Sequence, residues 1–437
     1  MTIGTLSILI VLAIIVLLLL GLPLAFTTGA VATMATLVWF GPDALGVISY
    51  RVFDMMNNYV LVAVPLFVFM ANMMEKAGVA DQLFTAVHIW MGRLPGGLAI
   101  ATIVACCLMA AMVGIVGAEV VTLGLIAVPT MLKRGYDHDI ALGCVCAGGG
   151  LSTLIPPSVV FIVYAMAAGV SVGKLFIAGI GPGLLLAVLY VGYIVLRTGL
   201  NPKLAPPASA ETLQMTLGEK ARSLKGLILP LLIAIGVLGS IYAGIATPTE
   251  AAGVGCVGAT IACLVNGRLN LKALKQVAID TLSVSAMLYW LMFGAQTIIG
   301  IYNMAGGAEF VKTKLTALPL GPLGLLLLMQ LIMVFLGCFI DWIGVCMLTM
   351  PLFVPIVVDL GYDPIWFGVL FCMNMQLSYI TPPFGPSAFY LKGVVSEDIT
   401  VTQIYRSSMP YVGLIIIAMA LVIAFPQIAL FLPSLAH

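Results

Sequence analysis

The chain has 437 residues, 62% of them hydrophobic and only 8% charged, and its mean hydropathy is +1.20. A water-soluble domain covers its surface with about 25% charged residues, so an apolar excess of this size must face lipid. The formal net charge of +1 provides no field that would gather a nucleic acid or a strongly acidic partner.

In chain order, apolar segments at 3–21 and 22–40 come first. No Lys or Arg precedes the first of them and no A-x-A site follows it, so it is expected to remain as a membrane helix rather than leave as a signal peptide. A third segment follows at 56–75, with Arg51 and Asp54 just before it as a possible interfacial pair. The stretch 97–132 is too long for one crossing and lacks a polar turn. Its centre, "MVGIVGAE" (112–119), marks a helical hairpin that enters and leaves by the same face. Within 138–168, "AGGGLSTLIPPS" (147–158) cannot continue an α-helix, because its glycines and adjacent prolines break the hydrogen-bond ladder. A plain span at 175–197 leads into 198–225, a Pro- and Ala-rich linker.

The second part of the chain holds spans at 226–244, 246–265 and 281–305. A second overlong stretch, 321–358, has the irregular centre "LGCFIDWIG" (336–344) and is expected to form a second hairpin. A second broken helix at 364–391 contains "LSYITPPFGPS" (377–387), and 408–432 is the last span. Charged stretches at 79–93, 268–280, 308–318 and 395–407 have the spacing of amphipathic helices lying in the membrane interface. The nine cysteines form no C-x-x-C pattern and are expected to pack as small hydrophobes, as the 24 methionines fill core space. His88 and His138 are expected at the interface.

The two parts are related. At an offset of 226 residues without a gap, 128–157 and 354–383 share ten of thirty positions, including Gly135-Tyr136-Asp137 with Gly361-Tyr362-Asp363 and Pro156-Pro157 with Pro382-Pro383. The hairpin stretches occupy matching places, so the chain is an internal duplication. Five full crossings separate Asp137 from Asp363, an odd number, which inverts the second copy relative to the first. Lys203, Lys220, Arg222 and Lys225 put the linker on the cytoplasmic side. The expected fold is an all-α polytopic membrane protein with inverted repeats, two re-entrant hairpins and two broken helices. Its expected division is a scaffold of helices at 1–96, transport-domain halves at 97–168 and 321–391, scaffold helices at 169–320 with the linker, and a C-terminal interfacial and scaffold helix at 392–437.

Irregular backbone at membrane depth is tolerated only where protein buries it or a wet cavity lines it. Inverted repeats with broken helices are the pattern of secondary transporters, whose unwound carbonyls hold the driving cation. Glycines allow close backbone approach, the proline pairs free carbonyls upstream, and serine hydroxyls add hard oxygen. Gly114, Gly117, Gly150, Ser152, Gly337, Asp341, Asn374, Ser378 and Thr381 are therefore the expected sodium-binding set. Glu119, Thr153, Pro156, Gln376 and Pro382 are the expected substrate-binding set. Asp341 is costly in a bilayer centre, and serves either as a cation ligand or as a hydrogen-bond partner of the hairpin backbone. Glu119 either joins the site or caps the second hairpin arm. Glu250, after Thr247-Pro248-Thr249, is expected to cap a helix rather than bind a ligand.

An intramembrane enzyme would need a nucleophile and base, or paired aspartates, at mid-membrane. Neither is present in the pattern, so no enzyme activity and no cofactor beyond coupling sodium ions are expected. Hairpins from opposite faces describe a gated carrier better than an open channel.

Five stretches also resemble a known family: "YVLVAVPLFVFMANMMEKAG" (59–78), "KRGYD" (133–137), "LIPPSVVFIVYAMAAGVSVGKLFIAGIGPG" (154–183), "ATPTEAAGVG" (246–255) and "PLFVPIVVDLGYDPIWFGVLFCMNMQLSYITPPFG" (351–385). They are similar to the large membrane subunit of tripartite ATP-independent periplasmic (TRAP) transporters, through almost the whole chain. The resemblance implies an elevator transporter in the bacterial inner membrane that takes up a small organic anion (a carboxylate, sugar acid or sulfonate) with sodium. It also implies two partners, a small four-helix membrane subunit and a periplasmic substrate-binding protein. The first hairpin departs from the Ser- and Thr-rich tip common in that family, with Glu119 where a neutral residue is more familiar. The competing reading is a stand-alone sodium/dicarboxylate symporter of similar architecture, which needs no binding protein.

Overall fold

The structure is a computed structural model that describes residues 2–91, 94–114, 116–206 and 216–435. Ile115 in the first hairpin turn and 207–215 of the linker lie outside the described residues. All regular elements among the described residues are helical. Seven helical stretches are long and apolar enough to cross a membrane, which makes the chain a multi-pass membrane protein.

Helices α1 (Ile3–Leu19) and α2 (Leu24–Trp39) are separated by Gly21, at φ 83°, and Pro23. Then come α3 (Leu45–Met56), which the sequence reading did not anticipate, α4 (Ala63–Lys76) and the short amphipathic α5 (Val79–Met91). Arg51 on α3 does not pair with Asp54. Its side chain lies along Gly300, where only a residue without Cβ leaves it room.

The first overlong stretch is two helices, α6 (Gly97–Val113) and α7 (Val116–Lys133), turning at Gly114 with φ 63°. Each arm spans roughly 26 Å at 1.5 Å per residue, close to the thickness of a bilayer's hydrocarbon core. The first broken helix follows as α8 (His138–Gly150) and α9 (Val159–Ala168), with a 3-10 turn at Leu151–Thr153 between them. The Pro156-Pro157 bond in this gap is cis, as is Pro382-Pro383 in the second copy. Helix α10 (Val172–Leu200) then runs 29 residues into the start of the linker.

After the linker come α11 (Leu217–Ser223), α12 (Lys225–Tyr242) and α13 (Pro248–Val265). Helix α13 starts with the expected cap: Thr247 and Glu250 form a reciprocal capping box, with Glu250 accepting from the Thr247 N–H at 2.8 Å. The expected interfacial helix at 268–280 is not separate. It is the N-terminal part of α14 (Leu271–Met304), a continuous helix of 34 residues and roughly 51 Å. Nothing between its charged start and its apolar body breaks the helix, so change of environment alone does not end it. The short α15 (Gly307–Thr316) leads to the second hairpin, α16 (Pro322–Gly337) and α17 (Trp342–Asp359), and then to α18 (Pro364–Ile380) and α19 (Pro386–Lys392) around the second break. The expected interfacial helix at 395–407 is also corrected. A Thr400–Gln403 capping box starts α20 (Val401–Ala424), which runs on unbroken, and α21 (Gln427–Leu435) ends the described chain.

Lipid tails are as apolar as leucine side chains, so helices associate here through close packing of small residues and through polar contacts. Two sets of such contacts stand out. In the first, α2 and α14 close at Thr28 and Gly294, α4 and α13 close at Met70 and Gly255, and Asn72 donates to Thr281 at 3.1 Å. In the second, α10 and α20 lie directly on the broken helices. A Cβ on Gly179 or Gly183 of α10 would collide with the first break at Leu154, Phe161 or Ile155, and one on Gly143 of α8 would meet the Ser407 carbonyl of α20. Ser407 also donates to Asp139 at 3.0 Å, Arg197 lies 3.8 Å from Asp139, and Tyr411 packs edge-on against Tyr190 and Tyr193.

The short helices preceding the hairpins touch the far end of each hairpin's second arm. Lys312 of α15 pairs with Asp359 at the end of α17. Arg134, just after α7, donates to Nε2 of His88 on α5 at 3.2 Å. Burial and the adjacent guanidinium push the His88 pKa down to about 4, so the ring is neutral at pH 7 and accepts this bond.

Candidate functional site

Each hairpin tip rests on the broken helix of its own repeat. In the first repeat, a Cβ on Gly114 would overlap the Pro157 carbonyl oxygen. In the second, a Cβ on Gly337 would overlap the Ser378 hydroxyl. The two breaks then meet each other, since Gly150 leaves room for the Gln376 side chain, whose Cγ would lie 2.9 Å from a Cβ there. Four loosely related sequence features therefore converge on one region because glycines let a carbonyl, a hydroxyl and an amide side chain lie directly on the backbone.

The second repeat forms the more open part. Gly337, Asp341, Ser378, Tyr379 and Phe384 line a small pocket, and Pro382 beside it is exposed. Asp341 is the N-cap of α17, its Oδ2 accepting from the Ile343 N–H at 3.1 Å. That bond uses one lone pair and leaves the carboxylate on the pocket wall, so the capping and ligand readings of Asp341 are compatible. The first break is closed by comparison: Ser152, Thr153 and Pro156 are all buried.

The hydroxyls share one arrangement. Ser152 donates to Gly149 O at 2.8 Å, Thr153 to Gly150 O at 2.9 Å, Ser378 to Asn374 O at 3.2 Å and Thr381 to Leu377 O at 2.6 Å. Each proton is thus committed to a carbonyl, and each oxygen keeps lone pairs that can face a cation. Gln376 donates to the Tyr190 hydroxyl at 3.2 Å, and its own Oε1 is buried without a partner.

Of the expected residues only Gly337, Asp341 and Ser378 line this pocket, and two of the others have apolar or unpaired surroundings. Gly117 faces the Tyr390 ring, 3.2 Å from its would-be Cβ, rather than a polar group. Glu119 lies in the first turn of α7, fully buried, and neither of its oxygens has a hydrogen-bond partner. Of the two roles expected for Glu119, the cap on the hairpin arm is therefore the one set aside. Val116 opens α7, so Glu119 is its fourth residue, one past the N3 position from which a carboxylate reaches back to the N-cap N–H.

Sequence reasoning missed Gln330 and Tyr190. Gln330 is the one polar side chain in the run "LGLLLLMQLIMVFLG" (323–337), and an isolated amide in such a run is itself a signal. Tyr190 gave none, because tyrosines recur along α10.

Paired hairpins seated on paired helix breaks within a multi-pass bundle define a membrane transporter component, not an enzyme. Residues 11–428 match the family model described as the tripartite ATP-independent periplasmic transporter, DctM component, and the chain belongs to that family. It is 34% identical to the C4-dicarboxylate TRAP transporter large permease protein DctM of Pseudomonas aeruginosa, over 91% of this chain and 92% of the relative. It is 32% identical to the ectoine/5-hydroxyectoine TRAP transporter large permease protein UehC of Ruegeria pomeroyi, over 97% and 98%. The sialic acid TRAP transporter large permease protein SiaM of Vibrio cholerae is 30% identical over 95% of both chains. Among solved structures, the YdaH transporter of Alcanivorax borkumensis superposes with a TM-score of 0.63 at 18% identity, covering 90% of each chain, a likeness of fold alone.

Proposed function

We propose that this protein is the large membrane subunit of a sodium-driven TRAP transporter in the bacterial inner membrane, importing a small organic anion. A periplasmic binding protein delivers the anion, a small four-helix membrane subunit completes the translocation unit, and the linker 198–225 lies on the cytoplasmic side. The relatives named for C4-dicarboxylates, ectoines and sialic acid support a small polar organic substrate. The observation that carries the reading is the convergence of both hairpin tips on both breaks, at Gly114 with Pro157, Gly337 with Ser378, and Gly150 with Gln376. It gathers carbonyl, hydroxyl and carboxylate oxygens, which suit a hard cation such as sodium.

Movement follows an elevator path. The mobile unit comprises 97–168 and 321–391, as read from sequence, together with α10 and α20, whose glycine and tyrosine contacts bind them to the breaks. The fixed scaffold comprises α1 to α4 and α12 to α15, joined by the Thr28–Gly294 and Met70–Gly255 contacts and by Phe310 of α15 against Gly4 of α1. The test is uptake into proteoliposomes holding both membrane subunits, with the binding protein and substrate outside. An inward sodium gradient should drive accumulation. Equal uptake on a potassium gradient, with membrane potential and pH gradient at zero, refutes sodium coupling, and uptake without the binding protein points to the stand-alone symporter.

A further inference from the structure

Gln330 lies on α16, the first arm of the second hairpin, and is 5% exposed. Facing it on α18 is Asn374, which is fully buried. The Asn374 Nδ2 donates to the Gln330 backbone carbonyl at 2.8 Å and to the Gln330 Oε1 at 2.9 Å. An amide has two N–H donors, and both are used. Turning the Asn374 amide over would set its oxygen against two acceptors, and turning the Gln330 amide would set two donors against each other. The network therefore fixes both groups in one orientation. The Asn374 Oδ1 and the Gln330 Nε2 are both buried without a partner, and the oxygen is an acceptor whose desolvation nothing among the described residues offsets.

We propose that Gln330 is a positioning residue that holds Asn374 with its oxygen, not its N–H groups, presented to the coupling cation. The proposal rests on the sodium site described above and adds to it a residue outside the expected set. The clamp also sets the register of the pocket. Gly337 follows Gln330 by about two helical turns along α16 and abuts Ser378, which follows Asn374 by one turn along α18 and donates to its backbone carbonyl. The two helices thus run side by side in the same direction, tied by an amide pair at one level and a glycine–serine contact at the next. The first repeat has no such clamp. At the 226-residue offset, Val104 stands for Gln330 and Gly148 for Asn374, and a Cβ on Gly148 would collide with Cys106. There, the Cys106 side chain packed on the glycine replaces the polar pair, so an oriented amide oxygen belongs to the second repeat alone.

The experiment measures the sodium dependence of uptake in proteoliposomes for Gln330→Met, which keeps length and apolar volume but removes the side-chain acceptor. Loss of one buried hydrogen bond should raise the half-saturating sodium concentration about fivefold. The maximal rate, and the substrate half-saturation at saturating sodium, should stay close to wild type. If Gln330→Met fails to insert, Gln330→Asn, one methylene too short to reach, makes the same comparison. On an Asn374→Ala background, which removes the amide to be positioned, Gln330→Met should change the sodium half-saturation little further, as a double-mutant cycle requires of coupled residues. A wild-type sodium curve in both single variants, with or without a lowered melting temperature, overturns the proposal and leaves Gln330 as packing. So does an effect of Gln330→Met that persists undiminished on the Asn374→Ala background. Failure of the underlying sodium reading appears separately, as a wild-type protein indifferent to sodium.

Discussion

Replacing Gly114 by alanine tests whether closure of the first hairpin tip on the first break matters for transport. Gly114 has φ 63°, and an added Cβ would overlap the Pro157 carbonyl oxygen and lie 3.3 Å from its carbon. Two costs follow, and they can be separated. A left-handed backbone costs an L-residue about 1–2 kcal/mol. The overlap is with backbone, so no side chain can rotate away, and the tip or the break must shift by roughly 1 Å to restore ordinary contact. Overpacking of that kind adds about 1–3 kcal/mol. Gly361, with φ 83° and nothing within 4 Å of a Cβ, isolates the first cost. Both variants are reconstituted for initial uptake rates and melted in detergent. Gly361→Ala should melt earlier yet keep its transport rate. Gly114→Ala should melt earlier still and lose roughly tenfold in rate, the equivalent of about 1.4 kcal/mol at the closed site. If Gly114→Ala transports as well as Gly361→Ala, seating of the tip on the break is not part of the transport cycle.

Two other substitutions probe the charge and the motion. Asp341→Asn preserves shape and can still accept from Ile343 N–H, so α17 should keep its cap while the half-saturating sodium concentration rises by about tenfold or more; an unchanged sodium curve makes Asp341 a cap and nothing else. In a cysteine-depleted background, a disulfide between α15 and α17 beside Lys312 and Asp359 should stop uptake until reduced, while one between α8 and α20 beside Asp139 and Ser407 should leave it nearly intact. Full activity with the first pair oxidised excludes sliding of the second hairpin past its neighbouring interfacial helix.

Much of this protein is determined by sequence alone, where the physics is local. Adjacent prolines and runs of glycine end a helix wherever they fall, so both breaks are legible in "LSTLIPPS" and "LSYITPPFGPS". Overlong apolar stretches without a polar turn have few solutions in a bilayer, so both hairpins are legible, as is the Thr247–Glu250 capping box. Which helices lie against which was decided by tertiary structure. A helix in lipid is apolar on every side, so its pattern does not distinguish a face that meets protein from one that meets lipid. The association of α10 and α20 with the breaks therefore depends on single glycines and tyrosines far apart in the chain, such as Gly179 against Leu154 and Tyr190 against Gln376. The same holds for the site. Asp341 announces itself because a carboxylate in an apolar run is costly, whereas Gln330 acquires its role only from Asn374, 44 residues later, brought beside it by the hairpin. Glu119 shows the converse. Its place after a turn left a site role or a cap open, and its oxygens meet no N–H among the described residues, because capping needs a geometry that only the folded backbone supplies.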